Sequence, residues 1–260
     1  MPNEKNADHS TLSGKAAIVT GASREIGAAM AEALAARGAA VLVCHYHEPD
    51  LADSTVRRIR DSGGTALPHE ANLSSAADCQ AMIQRAVSEF GRLDFYAANA
   101  GITHWSSFLD YPEAAWDTVI DLNLKGSFFS AQAAARQMIA QGTPGAIIFS
   151  ASVTGLRALV NASAYSVTKA GLIHLARCLA LELGPQRISV NALAIGATLN
   201  ERNLKDDPDY DAHWQGVTPA GRPARPEDIA RGLMYLIDNP FITGNTLVID
   251  GGWTIQSPVP

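Results

Sequence analysis

Seven short apolar runs, at 15–20, 40–45, 65–69, 93–98, 146–150, 188–193 and 246–250, alternate with six longer stretches of helical periodicity, at 26–37, 51–61, 76–90, 113–141, 164–183 and 227–237. Strand, crossover helix and strand in repetition produce a parallel sheet covered by helices on both faces. The chain is therefore expected to be α/β, with a doubly wound seven-stranded parallel sheet. No Pro-, Gly- or Ser-rich linker divides the 260 residues, so a single domain over 1–260 is expected. The one long irregular stretch, 195–225, follows the sixth run and is rich in Asp, Asn, Pro and Gly. At the carboxyl edge of a sheet such a segment is expected to serve as a substrate lid.

The first run leads directly into TGASREIGAA. Gly21 permits a tight turn, Gly27 allows close packing of the next helix, and the exposed N–H groups at that helix start suit a pyrophosphate. The run at 146–150 is followed by a loop from Ser150 and then by a helix with Leu172, Leu175, Ala176 and Leu179 on one face. Tyr165 and Lys169, four residues apart, emerge one turn apart on the same face near the start of that helix. A fixed ammonium there is expected to lower the phenol's pKa; reaching neutrality takes about 3–4 kcal/mol of differential stabilisation. Tyr165 is then suited to exchange a proton with a substrate oxygen. Ser152, at the end of its strand, is expected at the sheet edge where open α/β folds place ligands.

Composition narrows the partners. A net charge of -6 without a basic cluster argues against nucleic acid. Cys44, Cys79 and Cys178 are far apart and lack metal-ligand spacing, which points to reduced thiols, no metal and a cytoplasmic protein. The polar N-terminus lacks the apolar region of a signal peptide, and no apolar stretch is long enough to span a membrane.

Several of these segments together resemble the classical short-chain dehydrogenases/reductases, from Leu12 to Trp253: TGASREIG, Asn99-Ala100-Gly101, Asn123 in DLNLKGSFF, Ser152 with Tyr165 and Lys169, and ITGNTLVIDGGW. The resemblance implies a Rossmann-type oxidoreductase that moves a hydride between a nicotinamide coenzyme and an alcohol or carbonyl. It implies Tyr165 as acid or base, Ser152 as the group orienting the reacting oxygen, Lys169 as a ribose ligand, and Asn123 as holder of a relay water. It implies coenzyme contacts at Gly21, Ser23, Arg24, Ile26, Gly27, His45, His47, Asn72, Leu73, Asn99, Ala100, Gly101, Tyr165, Lys169, Gly196 and Thr198, and a homotetramer. The Tyr-to-Lys spacing of four argues against an enoyl-reducing member.

The chain departs from the family pattern at Glu25, where the middle glycine usually stands, and at Ile195, Asn200 and Asn72, where proline, threonine and aspartate are usual. The second strand ends in Cys44, His45, Tyr46 and His47 rather than in a carboxylate that would bind a ribose 2'-hydroxyl, and Arg24 stands in the glycine turn. NADP(H) is therefore slightly favoured over NAD(H), with Glu48 and Asp50 opposing. His104, Trp105, Arg157, Asn161, Asn200 and Trp214 are expected to line the mouth of the site, a mixture of hydrogen-bonding groups and indoles that suits a sugar or polyol. The alternatives are a 3-oxoacyl thioester or other ketone reductase and, in another class, a catalytically weak coenzyme-binding regulatory protein.

Overall fold

The computed structural model describes residues 11–256. The remainder of the polar N-terminal stretch and the last four residues lie outside the described residues. The strands are β1 (Ala16–Val19), β2 (Ala40–His45), β3 (Thr65–Glu70), β4 (Phe95–Ala98), β5 (Gly145–Ser152), β6 (Ile188–Ile195) and β7 (Thr246–Ile249). They form one parallel sheet in the order β3-β2-β1-β4-β5-β6-β7. The order reverses between β1 and β4, so a crevice opens between their carboxyl ends. Pro68 sits in β3, an edge strand, where a missing N–H is tolerated.

The helices are α1 (Glu25–Ala36), α2 (Pro49–Asp61), α3 (Ala76–Phe90), α4 (Glu113–Ile120), α5 (Ser127–Ala140), α6 (Ser163–Leu183), α7 (Glu201–Asp206), α8 (Tyr210–Val217) and α9 (Pro226–Asp238). Successive strand residues point to opposite faces of the sheet, and the two cores follow that alternation. Ile18, Leu42, Ile147 and Phe149 pack with Met82 of α3, Met138 of α5 and Leu172 of α6. Ala17, Val19, Val41 and Ile148 pack with Leu34 of α1, Val56 of α2 and Leu233 of α9. Both faces of the central strands are thus buried, and this is why their sequences read as continuous apolar runs.

Three expectations are corrected. The stretch 113–141 is not one α-helix: α4 and α5 are joined by a π-helical turn, Asp121–Gly126, which contains Asn123. The fifth strand does not give way to a loop at Ser150 but continues to Ser152, fully paired with β6. The segment 195–225 is not irregular throughout, since it folds α7 and α8 within it. Asn200 begins α7 by accepting the Asn203 N–H on its side-chain oxygen at 2.8 Å, and Pro208 lies between the two short helices.

Candidate active site

The turn after β1 is held from two sides. Thr20 Oγ1 accepts the N–H groups of Asn99 and Ala100 at 2.9 and 3.0 Å, binding the turn to the end of β4. The Asn99 amide donates to the carbonyls of Thr20 and Gly21 at 3.1 and 3.2 Å and accepts from Ser150 Oγ at 3.1 Å. Gly21 has φ 60 and lies against Ala100, and a Cβ on Gly27 would stand 2.0 Å from the Gly21 carbonyl oxygen. Both glycines are therefore required by the close approach of turn and helix. The N-cap of α1, Arg24, makes no side-chain cap bond, which leaves the opening amides of the helix free to face a ligand.

On the other side of the crevice, the last residue of β5, Ser152, hydrogen bonds with the side chain of Tyr165 from the first turn of α6; Thr103, after β4, does the same. Lys169 is buried, its ammonium 5.4 Å from the centre of the Tyr165 ring and donating to the Ser150 carbonyl at 2.7 Å. Asn123 is fully buried in the π-turn and clamps Ile102 in both directions: its Nδ2 donates to the Ile102 carbonyl at 2.8 Å, and its Oδ1 accepts the Ile102 N–H at 2.8 Å. Gly101 fits against this pair, since a Cβ there would meet Asn123 Oδ1 at 3.2 Å and Lys169 Nζ at 3.3 Å.

The expected electrostatics of the Tyr-Lys pair are corrected. Burial raises the Tyr165 pKa above the usual phenol value; hydrogen bonds with Ser152 and Thr103 and the charge of Arg202 pull it down, and Lys169 is not among the opposing influences. Burial lowers Lys169 from 10.5 to about 8. Burial disfavours the charged form of each group more than one ammonium, engaged with a carbonyl, favours a phenolate. Tyr165 thus stands as a neutral hydroxyl beside a lysine poised near neutrality, an arrangement able to give a proton to a carbonyl oxygen or take one from an alcohol.

A family model described as Enoyl-(Acyl carrier protein) reductase matches residues 21–254. The 2-dehydro-3-deoxy-D-gluconate 5-dehydrogenase of Escherichia coli is 34% identical over 94% of this chain and 96% of its own length. The L-rhamnose 1-dehydrogenase (NAD(P)(+)) of a Sphingomonas strain is 35% identical over 94% of the chain and 98% of its own. A short-chain type dehydrogenase/reductase from Mycobacterium marinum superposes with a TM-score of 0.90 at 36% identity, covering 96% of this chain and 99% of the other.

The chain belongs to the short-chain dehydrogenase/reductase family. As a member it is an NAD(P)-dependent oxidoreductase.

Other residues singled out in the sequence occupy varied places in this short-chain dehydrogenase fold. His45 is buried at the end of β2, and its Nδ1 finds no partner among the described residues. His47 has φ 56 and pairs with Glu70 at 3.0 Å. Arg24 pairs with Glu48 at 2.8 Å, and the same carboxylate accepts from Ser23 Oγ. Ile26 packs partly buried against the second core. Asn72 Oδ1 accepts the Ser74 N–H at 3.1 Å, and the Leu73 backbone lies so close to Gly126 that a Cβ there would stand 2.8 Å from its carbonyl oxygen. Gly196 packs against Asp250, and Thr198 is buried with its hydroxyl on the Gly196 carbonyl at 3.1 Å.

The residues expected at the mouth are partly engaged elsewhere. Arg157 donates to the Trp253 carbonyl at 3.1 Å and lies 5.0 Å from the centre of that indole. Asn200 spends its side-chain oxygen on capping α7. Trp214 meets Trp253 edge-on at 5.8 Å, His104 meets Tyr111 at 5.4 Å, Trp105 is exposed, and Asn161, at φ 63, accepts the Ser106 N–H on its carbonyl. Sequence inspection placed Thr20 in the turn but missed its clamp on Asn99 and Ala100, and it missed Thr103 and the bond from Glu25 Oε1 to the Glu201 N–H at 2.8 Å. Thr20 begins one visible motif and Thr103 follows another; the Glu25 contact spans 176 residues and has no local signal.

Proposed function

We propose that the chain interconverts a secondary hydroxyl and a ketone on a sugar-derived or polyol substrate, with NADP(H) favoured over NAD(H). The observation that carries this is the Tyr165 hydroxyl bonded to Ser152 at the sheet edge, with Lys169 and Asn123 behind it and a polar, indole-bearing lid above. The sugar class is supported by that lid and by the substrates named for the Escherichia coli and Sphingomonas relatives. A thioester reductase has less support, since an acidic carrier calls for a basic entrance and the net charge is -6.

The residues fit a dinucleotide. The opening amides of α1 are uncapped, Gly21 and Gly27 keep the turn close to its neighbours, and His45 presents a buried, unpartnered ring nitrogen where β2 ends. Gly21, Ser23, Arg24, Ile26 and Gly27 would hold the phosphates and adjoining ribose; His45, Asn72 and Leu73 the adenosine; Asn99, Ala100, Gly101, Gly196 and Thr198, with Tyr165 and Lys169, the nicotinamide half. A nicotinamide held by these residues would supply the hydride donor or acceptor. In oxidation Tyr165 takes the hydroxyl proton as the carbon loses its hydride, and in reduction it returns that proton to the ketone oxygen. Ser152 orients the oxygen, and Asn123, by fixing Ile102, holds the floor beneath Lys169. Support for NADP(H) comes from Arg24 and from the absence of a carboxylate at the end of β2; Glu48 offsets part of it.

A homotetramer is also proposed, because Trp116, Phe128, Val167 and Leu181 expose apolar surface along α4, α5 and α6, and Phe241 does so before β7. The three free cysteines suit the cytoplasm, and no helix among the described residues is long and apolar enough to cross a membrane. Fluorescence titration with NADPH and NADH, followed by turnover of a panel of sugars, polyols and ketones, tests the proposal. Tighter NADPH binding with turnover of sugars or polyols supports it, and turnover confined to acyl thioesters contradicts it.

A further inference from the structure

Arg157 links the end of β5 to the C-terminal turn, and that turn carries α8. The position of Arg157 follows from Ser152. Ser152 Oγ accepts the Thr154 N–H at 3.2 Å, and the Val153 carbonyl accepts the Arg157 N–H at 2.8 Å. Gly155 presses this turn onto α6, where a Cβ would stand 2.8 Å from the Lys169 carbonyl carbon. From there Arg157 Nη1 donates to the Trp253 carbonyl at 3.1 Å and to the Gln256 carbonyl at 3.4 Å, and the guanidinium carbon stands 5.0 Å from the centre of the Trp253 ring. The C-terminal turn is stiff, because the Asp250 carboxylate accepts the N–H groups of Gly252 and Thr254 at 2.8 and 2.7 Å. Its Trp253 indole meets Trp214, in the middle of α8, edge-on at 5.8 Å. The end of α8 is held separately: Gln256 Nε2 donates to the Val217 carbonyl at 2.7 Å, and the Ala220 N–H donates to the Gly251 carbonyl at 3.0 Å. A planar guanidinium can bond carbonyls and stack on an indole at once, which a lysine does only in part.

We propose that Arg157 is a positioning residue: through Trp253 it fixes the middle of α8 relative to the Ser152 end of the sheet, and so sets which substrates fit beside Tyr165. This rests on the hydride-transfer function proposed above and concerns the selectivity of the same site. The sequence reading expects Arg157 and Trp214 to touch substrate directly. Their contacts make them instead the two ends of one packed series, Arg157 to Trp253 to Trp214, anchored on the turn that follows Ser152. Loss of the guanidinium releases the Trp253 indole and, with it, Trp214. The bonds at Val217 and Ala220 still hold the end of α8, so the loosening is confined to the body of that helix and leaves α6 and the turn after β1 in place. A wall that is less well fixed binds its best substrate more weakly and discriminates less between substrates of different length.

The test combines hydrogen exchange of residues 210–217, coenzyme titration, and steady-state turnover of glycerol, erythritol, xylitol, sorbitol and the matching aldoses with NADP+ and NAD+. Arg157→Ala is expected to speed exchange in 210–217 and to raise KM for the best probe about five- to thirtyfold, the size of a lost cation–π and charge-assisted contact, with kcat within about threefold. The spread of kcat/KM across chain lengths narrows, while coenzyme affinity and exchange in α6 stay at wild-type values. Trp253→Ala reproduces these changes, and Arg157→Lys and Trp253→Phe recover part of the loss. The Arg157→Ala, Trp253→Ala double variant is no worse than the more impaired single variant, because both act through one contact series. Unchanged exchange in 210–217, additive losses in the double variant, or a loss that falls equally on coenzyme affinity and on every probe overturns the inference while leaving the proposed function standing. No turnover of any probe by the wild-type protein with either coenzyme overturns both.

Discussion

Glu25 Oε1 accepts the Glu201 N–H at 2.8 Å, joining the turn that follows β1 to the first residue of α7. Glu25 achieves this from φ 53, a left-handed conformation that costs a non-glycine residue about 1–3 kcal/mol. The carboxylate that replaces the usual glycine is therefore bonded to protein backbone, and it ties the turn after β1 to α7.

Glu25→Gly relieves the backbone strain, removes a negative charge from the coenzyme turn and cuts the tie to α7. Coenzyme affinity is expected to rise severalfold and hydrogen exchange of residues 201–206 to accelerate. Glu25→Gln keeps an oxygen acceptor for Glu201 and is expected to change affinity without loosening α7. Exchange mass spectrometry alongside a coenzyme titration separates the two effects.

The coenzyme preference is expected to hinge on Arg24 and Glu48, which pair at 2.8 Å. Glu48→Gln frees the guanidinium and is expected to raise the NADPH-to-NADH affinity ratio roughly two- to fivefold, in line with an exposed ion pair. Arg24→Ala is expected to lower it, with binding of both coenzymes read by fluorescence.

The pKa of Lys169 sets a pH dependence with a definite sign. Burial lowers it from 10.5 to about 8, so the ammonium behind Tyr165 is lost above that pH. Reduction consumes a proton at Tyr165, and its kcat/KM is expected to be flat below about 8 and to fall above it. Stability moves the other way. Between about 8 and 10.5 the unfolded chain holds the proton that the folded chain has released, so this group's contribution rises with pH across that window. Lys169→Met is expected to remove both trends, as measured by rate profiles and melting curves.

Gly27→Ala places a Cβ 2.0 Å from the Gly21 carbonyl oxygen and 2.8 Å from Asn99 Nδ2. Helix and turn must separate, at a cost of about 1–3 kcal/mol of stability. Coenzyme binding is expected to fall with it, as thermal denaturation and titration of the same variant would show.

The doubly wound sheet was legible because its central strands are covered on both faces and therefore appear as unbroken apolar runs such as AAIV and AIIF. Tyr165, Lys169 and Ser152 were legible because their proximity follows from one helical turn and one strand end. The π-turn at Asn123 was not, since the register change alters backbone hydrogen bonds without disturbing the apolar pattern of 113–141. The helices α7 and α8 were hidden by their Asp, Asn and Pro content, with Asn200 acting as a cap within what looked like a loop. The raised Tyr165 pKa depends on enclosure by other segments, to which the spacing of Tyr and Lys is blind.

The central claim is that Tyr165 carries the proton in a hydride-transfer reaction, and the most direct measurement is single-turnover kinetics of Tyr165→Phe with a substrate of the wild-type protein, alongside a coenzyme titration. The account predicts coenzyme affinity within a fewfold of wild type and a chemical step slowed by about a hundredfold or more, the scale of lost general acid-base catalysis. A chemical step that proceeds at the wild-type rate with coenzyme bound would contradict it.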